Sequence, residues 1–79
     1  MLEEALEHLV QGIVEHPDEV SVGTRQLRRG LLYQVRVHPD DLGKVIGRGG
    51  RTATALRTVV GALAEGRQIR IDFLDADGR

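Results

Sequence analysis

The sequence contains no cysteine and no tryptophan, and only one tyrosine and one phenylalanine. Without thiols neither a disulfide nor a thiolate metal site can form. With Tyr33 and Phe73 as the only aromatics, a surface that holds its ligand by ring stacking has almost nothing to build with. No apolar run approaches the roughly 18 residues needed to cross a bilayer. The first residues are acidic and lack the basic-then-apolar order of a signal peptide. A cytoplasmic protein with no membrane insertion is therefore expected. The ingredients of catalysis are equally sparse: three scattered histidines and a lone Ser21 offer no nucleophile–base pair. His8 and His16 have no second imidazole or carboxylate at ligand spacing, so neither a metal site nor a cofactor is expected, and the chain reads as a non-enzyme.

What is present fits one small domain. Seventy-nine residues, 41% hydrophobic and 29% charged, suit a single globular unit burying about 60–65% of its unfolded surface. The formal net charge of −1 conceals a strong segregation. Residues 1–19 carry six acids and no lysine or arginine, a net of −6, whereas residues 20–64 carry eight cations against Asp40 and Asp41, a net of +6. Such a distribution steers a polyanion toward one part of the surface and away from another.

Apolar residues Leu2, Ala5, Leu6, Leu9, Val10, Ile13 and Val14 recur at helical spacing, which predicts an amphipathic helix over 2–15, ended by Pro17 through its restriction of His16. Val20 to Leu27 and Leu31 to His38 alternate and are β-branched, predicting a hairpin with Arg28-Arg29-Gly30 as its turn. In the second strand Leu31, Tyr33, Val35 and Val37 share the face expected to meet the helices, and Tyr33 reads as core. His38-Pro39-Asp40-Asp41 is a strand exit and helix start, leading into a short helix to Ile46. Ala53, Leu56, Val60, Leu63 and Ala64 form a second stripe over 51–65, stopped by Gly66. Ile69, Ile71 and Phe73 alternate as a third strand, and residues 75–79 read as a frayed tail. The order α-β-β-α-α-β, with two helices linking strands two and three, favours a parallel pair beside the antiparallel hairpin. The expected α+β fold is a three-stranded mixed sheet with three helices on one face.

Between the last two helices lies Val45-Ile46-Gly47-Arg48-Gly49-Gly50-Arg51. Glycine accepts positive φ and lets another backbone approach, and the amides opening the following helix favour an anion. A Walker loop would need G-K-[ST], but Lys44 precedes Val45; a dinucleotide fingerprint would need a preceding strand and a glycine at Thr52. A lone G-x-x-G is usually a helix-terminating turn. Three glycines within four positions, flanked by Lys44, Arg48 and Arg51, with no acid from Leu42 to Thr58, point instead to a phosphate seat.

These residues resemble the signature loop of KH domains, which clamp about four nucleotides of backbone, and the element order resembles the type II KH fold from end to end, so that 1–79 is one KH domain. The match is similar to the small bacterial single-KH proteins of the KhpA type, with Ala53-x-Ala55-Leu56-Arg57-Thr58-Val59-Val60 continuing the likeness. Thr52, Thr54 and Arg48 depart from that pattern. The resemblance implies RNA binding: Lys44, Arg48 and Arg51 with the amides of Gly47, Gly49 and Gly50 on the sugar-phosphate chain, and a groove bordered by Val45, Ile46 and Leu56 on the helical side and Val35, Arg36 and Val37 on the strand side. It implies a single-stranded RNA ligand and an RNA chaperone or post-transcriptional role connected with cell envelope growth. It also implies a homodimer, or a heterodimer with a larger KH protein of the KhpB type. The competing expectation is a protein-interaction module that uses the loop only as a turn.

Overall fold

A computed structural model describes residues 1–76. Its α-helices are α1 (Leu2–Gln11), α2 (Leu42–Ile46) and α3 (Arg51–Leu63), and its strands are β1 (Ser21–Leu27), β2 (Gly30–Val37) and β3 (Ile69–Asp75). Short 3-10 turns at Pro17–Glu19, Pro39–Asp41 and Arg48–Gly50 join them. The strand order is β1-β2-β3, with β1 antiparallel to β2 and β3 parallel to it. The α+β order and mixed sheet are those expected for a KH fold.

The alternation in β2 sorts as predicted. Tyr33, Val35 and Val37 are buried while Arg36 is exposed. Cross-strand register puts Val22, Val35 and Phe73 in one row and Thr24, Tyr33 and Ile71 in the next, and the helices cover that side. Leu6 and Val10 of α1, Val45 of α2, and Leu56 and Val60 of α3 close the core with Val20, Tyr33, Val35, Val37 and Ile71. Each fully buried valine or leucine contributes about 1.5–3 kcal/mol relative to exposure.

Several boundaries differ from the sequence expectation. Helix α1 stops at Gln11 rather than at residue 15. The Val10 carbonyl accepts from both Ile13 and Val14 as the last turn tightens, and the N–H groups of Glu15 and His16 then bond the Asp41 carboxylate at 3.2 and 3.0 Å. An acceptor from another part of the chain replaces the next helical carbonyls. The hairpin turn is Arg28-Arg29, because Gly30 already pairs with Leu27. Helix α3 ends at Leu63, and Glu65 as well as Gly66 takes positive φ. Leu9 and Leu63, assigned to apolar stripes, are 41% and 51% exposed. Asp75, placed in the frayed tail, closes β3 opposite Val37. Of that tail, residues 77–79 lie outside the described residues.

Candidate nucleic-acid interface

The glycine loop turns on backbone conformations that only glycine holds without strain. Gly47 sits at φ 79°, ψ 169°, a region essentially confined to glycine. A Cβ there would meet the Cβ and backbone nitrogen of Thr52 at 2.8 Å and press harder still on its hydroxyl oxygen. Gly47 is therefore the position of close approach. Gly49 (φ 64°) and Gly50 (φ 77°) are left-handed, but a Cβ on either would enter open space. The loop is pinned by Gly47 N–H donating to Gly43 O at 2.8 Å and Gly50 N–H to Gly47 O at 3.1 Å.

Helix α3 begins from this loop with Gly50 as its N-cap and no side-chain cap. Of its opening amides, the Arg51 N–H already donates to the Arg48 carbonyl, so an anion seated there would meet the amides that follow it. Arg48 and Arg51 are exposed and enter no ion pair among the described residues. Lys44 is also exposed, but its Nζ lies 2.7 Å from Glu15 Oε1. That lysine is shared with the acidic segment, and Glu15 is held below the usual carboxylate range chiefly by its hydrogen bond to Lys44.

The expected groove needs correction on both sides. Val35, Val37 and Val45 are wholly buried and Leu56 is 6% exposed. They form the packed floor beneath the surface, with only Leu56 keeping a small exposed area. Ile46 is half-buried beside the loop. Arg36 shares a register row with Ser21 and Leu74 on the sheet face away from the helices, so the structure does not bring it to the loop. The reason is topological: β2 is the central strand, and its helix-facing residues disappear under α1, α2 and α3.

Of the two edge strands, β1 and β3, the one beside α2 and α3 is β3, and sequence reasoning missed it. Arg57 of α3 donates from Nη2 to the Ile71 carbonyl at 3.1 Å and lies over the Phe73 ring at 5.3 Å from its centroid, a cation–π distance. Arg57, Ile69, Arg70, Ile71 and Asp72 line a depression of about 240 Å³ along this edge. A parallel crossover adds its last strand outside β2, and that rule, applied to the predicted order, points to β3.

A second unforeseen cluster anchors the entry to α2. Asp41 is 1% exposed and accepts three hydrogen bonds, from the N–H groups of Glu15 and His16 and from His16 Nδ1 at 2.9 Å. Burial pushes its carboxyl pKa up, but the bonds from the His16 ring and the two amides outweigh burial and hold it below its ordinary value. His16 is raised, mainly by the same bond to Asp41. The His16 ring stacks on His38 with centroids 4.0 Å apart and planes 14° apart. The His38 ring in turn accepts the Asp40 N–H at 3.0 Å. This cluster ties the chain after α1 to the start of α2 and so fixes where the glycine loop begins. Among the described residues no group of His, Asp and Glu is arranged to hold a metal ion, and no helix is long and apolar enough to cross a membrane.

Comparison with known proteins agrees with this architecture. Residues 3–73 match the KhpA/KhpB KH-domain family. The chain is 70% identical over 77 residues to the RNA-binding protein KhpA of Streptomyces coelicolor, covering 98% of this chain and 96% of that protein. It is 62% identical over 74 residues to the RNA-binding protein KhpA of Mycobacterium bovis, covering 94% and 91%. Against the protein of that name from Halalkalibacterium halodurans it is 47% identical over 72 residues, covering 89% and 95%. The chain, with its glycine loop between two short helices over a mixed sheet, belongs to the KhpA/KhpB KH-domain family.

Proposed function

We propose that this protein binds single-stranded RNA, seating the sugar-phosphate backbone on the loop from Gly47 to Arg51. The observation that carries this reading is the acid-free glycine loop, which leads into a helix with no side-chain cap and carries two arginines that form no ion pair among the described residues. The name RNA-binding protein KhpA, carried by relatives up to 70% identical, supports the same ligand. Lys44 joins the phosphate contacts by exchanging Glu15 for the nucleic acid. Bases lie from Ile46 across toward Arg57 and the β3 edge, where a paired base could not present its edges.

In this reading the protein acts in the cytoplasm as an RNA chaperone or post-transcriptional regulator connected with cell envelope growth. One loop gives modest affinity, and pairing with a second KH unit multiplies it through effective concentration. The pairing surface is α3, where Val59 and Leu63 are 45% and 51% exposed. The partner is a second copy or a larger KH protein of the KhpB type. This surface leaves the loop free, which disfavours a module that only binds protein. Catalysis is not proposed: the Asp41–His16 pair is turned inward on the chain's own amides.

The test is fluorescence anisotropy with a labelled single-stranded RNA, its duplex, and the variant Arg48→Asp with Gly49→Asp. Single-strand binding that the variant loses supports the reading. Equal binding by the folded variant overturns it.

A further inference from the structure

The hairpin end of the sheet carries a second cationic site that the glycine loop does not explain. Two adjoining surface depressions lie there, of about 390 and 140 Å³, sharing Leu27, Gly30, Leu31 and Gln68. Arg28 and Arg67 flank the larger, and Arg29 and Arg70 the smaller. No carboxylate lines either depression. Among the described residues none of the four arginines forms an ion pair. The Arg67 side chain donates from Nε to Ala64 O at 3.3 Å, beside the bond from its own backbone N–H to the same carbonyl at 3.2 Å.

The site is built by backbone rather than left over between side chains. Gly30 at φ 147° lies so close to Gln68 that a Cβ would collide with its carbonyl, and that carbonyl accepts the Leu31 N–H at 3.0 Å. This contact clamps the hairpin turn to the segment entering β3. Register then places Arg25, Leu32 and Arg70 in one row across the open face, extending the cationic surface beyond the depressions.

We propose that this end of the molecule is a second nucleotide-binding site, taking a base into the larger depression and the attached phosphate onto Arg28, Arg29 and Arg70. The volume lies within the range of small-ligand pockets, about 300–1,000 Å³. The lining combines apolar surface from Leu27 and Leu31 with the amides of Gln26 and Gln68, the mixture that holds a base by its face and its edge. Guanidinium forks match phosphate oxygens and stack on bases. An acidic peptide would use the arginines but leave the apolar floor and the amides unused.

The site lies away from the loop. Helix α3 has thirteen residues, about 20 Å at 1.5 Å per residue. It carries the chain back to Ile69, in register with Leu31. Its first turn and the glycine loop are therefore at the Val37 end of the sheet, and the arginine-flanked depressions at the other. Two separated sites would let one copy of the protein hold two strands, or two segments of one strand.

The test is a titration of the ¹⁵N-labelled protein with adenosine 5′-monophosphate, following backbone amides by NMR, with inorganic phosphate at matched ionic strength as control. Amides of Leu27 to Leu31 and Gln68 to Ile69 are expected to shift with the nucleotide and at least about threefold less with phosphate. The same shifts persist in the Arg48→Asp, Gly49→Asp loop variant, so the site stands or falls apart from the loop. Arg28→Glu with Arg70→Glu weakens nucleotide binding about tenfold or more by reversing two charges. Both side chains are exposed and make no hydrogen bond among the described residues, and Arg28→Gln with Arg70→Gln gives a milder second variant with a smaller loss. Equal shifts with phosphate, shifts confined to the loop, unchanged binding in both arginine variants, or tighter binding of a polyglutamate peptide than of the nucleotide would each overturn the proposal.

Discussion

The loop separates two kinds of glycine, and substituting them one at a time distinguishes a folding requirement from a binding one. Replacing Gly49 and Arg48 by aspartate leaves the packing untouched, because a Cβ at Gly49 meets nothing within 4 Å and Arg48 is exposed. The left-handed backbone at Gly49, φ 64° and ψ 19°, costs a non-glycine residue about 1–2 kcal/mol, and aspartate is among the residues that tolerate it. A domain of this size has roughly 4–12 kcal/mol of stability at 0.05–0.15 kcal/mol per residue. The variant should stay folded with Tm lowered by about 5–15 °C. Binding faces a larger change, since the loop moves by three charge units toward negative. At about 1 kcal/mol per unit pair at 4 Å in water, the loss is about 3 kcal/mol, or roughly 100-fold.

Gly47→Ala should do the reverse. The methyl adds no charge but enters the Thr52 backbone and side chain, in a conformation that costs another residue about 1–3 kcal/mol before any clash. Relieving the clash shifts the start of α3, adding a further 1–3 kcal/mol or so, as overpacking does. The assays are thermal unfolding by circular dichroism and anisotropy of a labelled single-stranded RNA at fixed salt. Greater unfolding of the double aspartate variant than of Gly47→Ala, or RNA binding by the folded double variant within about threefold of the parent, would refute these separate roles for the two glycines.

Further outcomes follow from the charges on the surface. With Arg36 on the opposite sheet face, the loop offers Arg48, Arg51 and a releasable Lys44, so the log–log salt slope for single-strand binding should lie between about −1.4 and −2.1, at −0.7 per phosphate; a slope near zero contradicts backbone seating. Glu15→Gln frees Lys44 from its partner at 2.7 Å and should raise affinity by no more than about fivefold, most at low salt, as read by the same anisotropy. His16 is raised above its ordinary 6.5, so its contribution to stability is full below about pH 6.5 and fades as pH rises through the folded value. Asp41 is lowered below 3.8, so its contribution is full above about pH 4 and fades as pH falls through the folded value. Thermal unfolding across pH should therefore plateau between about 4 and 6.5 and decline on both sides, and Asp41→Asn should lower and flatten that plateau. Finally, Val59→Glu with Leu63→Glu should convert a dimer to a monomer by light scattering with unchanged circular dichroism, whereas a parent that is already monomeric removes α3 as the pairing surface.

The fold was legible because its core obeys two simple periods. Leu6 and Val10 of α1, Leu56 and Val60 of α3, and Tyr33, Val35 and Val37 of β2 all fall where periods of 3.6 and 2 place them. What periodicity could not supply is where a stripe stops being useful. Leu9 and Leu63 continue their helical stripes and are still about half exposed, because the sheet is too narrow to cover the whole apolar width of each helix. The end of α1 was hidden for a different reason. Its arrest depends on Asp41, 25 and 26 residues away, and no local propensity encodes an acceptor arriving from that distance. The His-Pro-Asp-Asp segment reads correctly as a helix start, yet its second acid has an added partner that only the folded chain reveals.

The candidate site divides along the same line. The conformation of the loop could be read directly, since its glycines declare the positive φ that Gly47, Gly49 and Gly50 adopt. The groove could not, because assigning Val35 and Val37 to it required them to be both core and surface, and at 0% exposure they are core alone. Charge segregation also takes on a sharper meaning in three dimensions. The acidic segment does not sit remote from the loop, for Glu15 reaches Lys44 at 2.7 Å and Glu19 lies 3.9 Å from His38. In the proposed reading a phosphate chain at Arg48 and Arg51 would be repelled on the side where residues 15–19 pack and would extend toward Arg57, past Asp72 on β3. The net charge near zero is thus compatible with polyanion binding, because the acids border the cationic path and give it a direction rather than cancelling it.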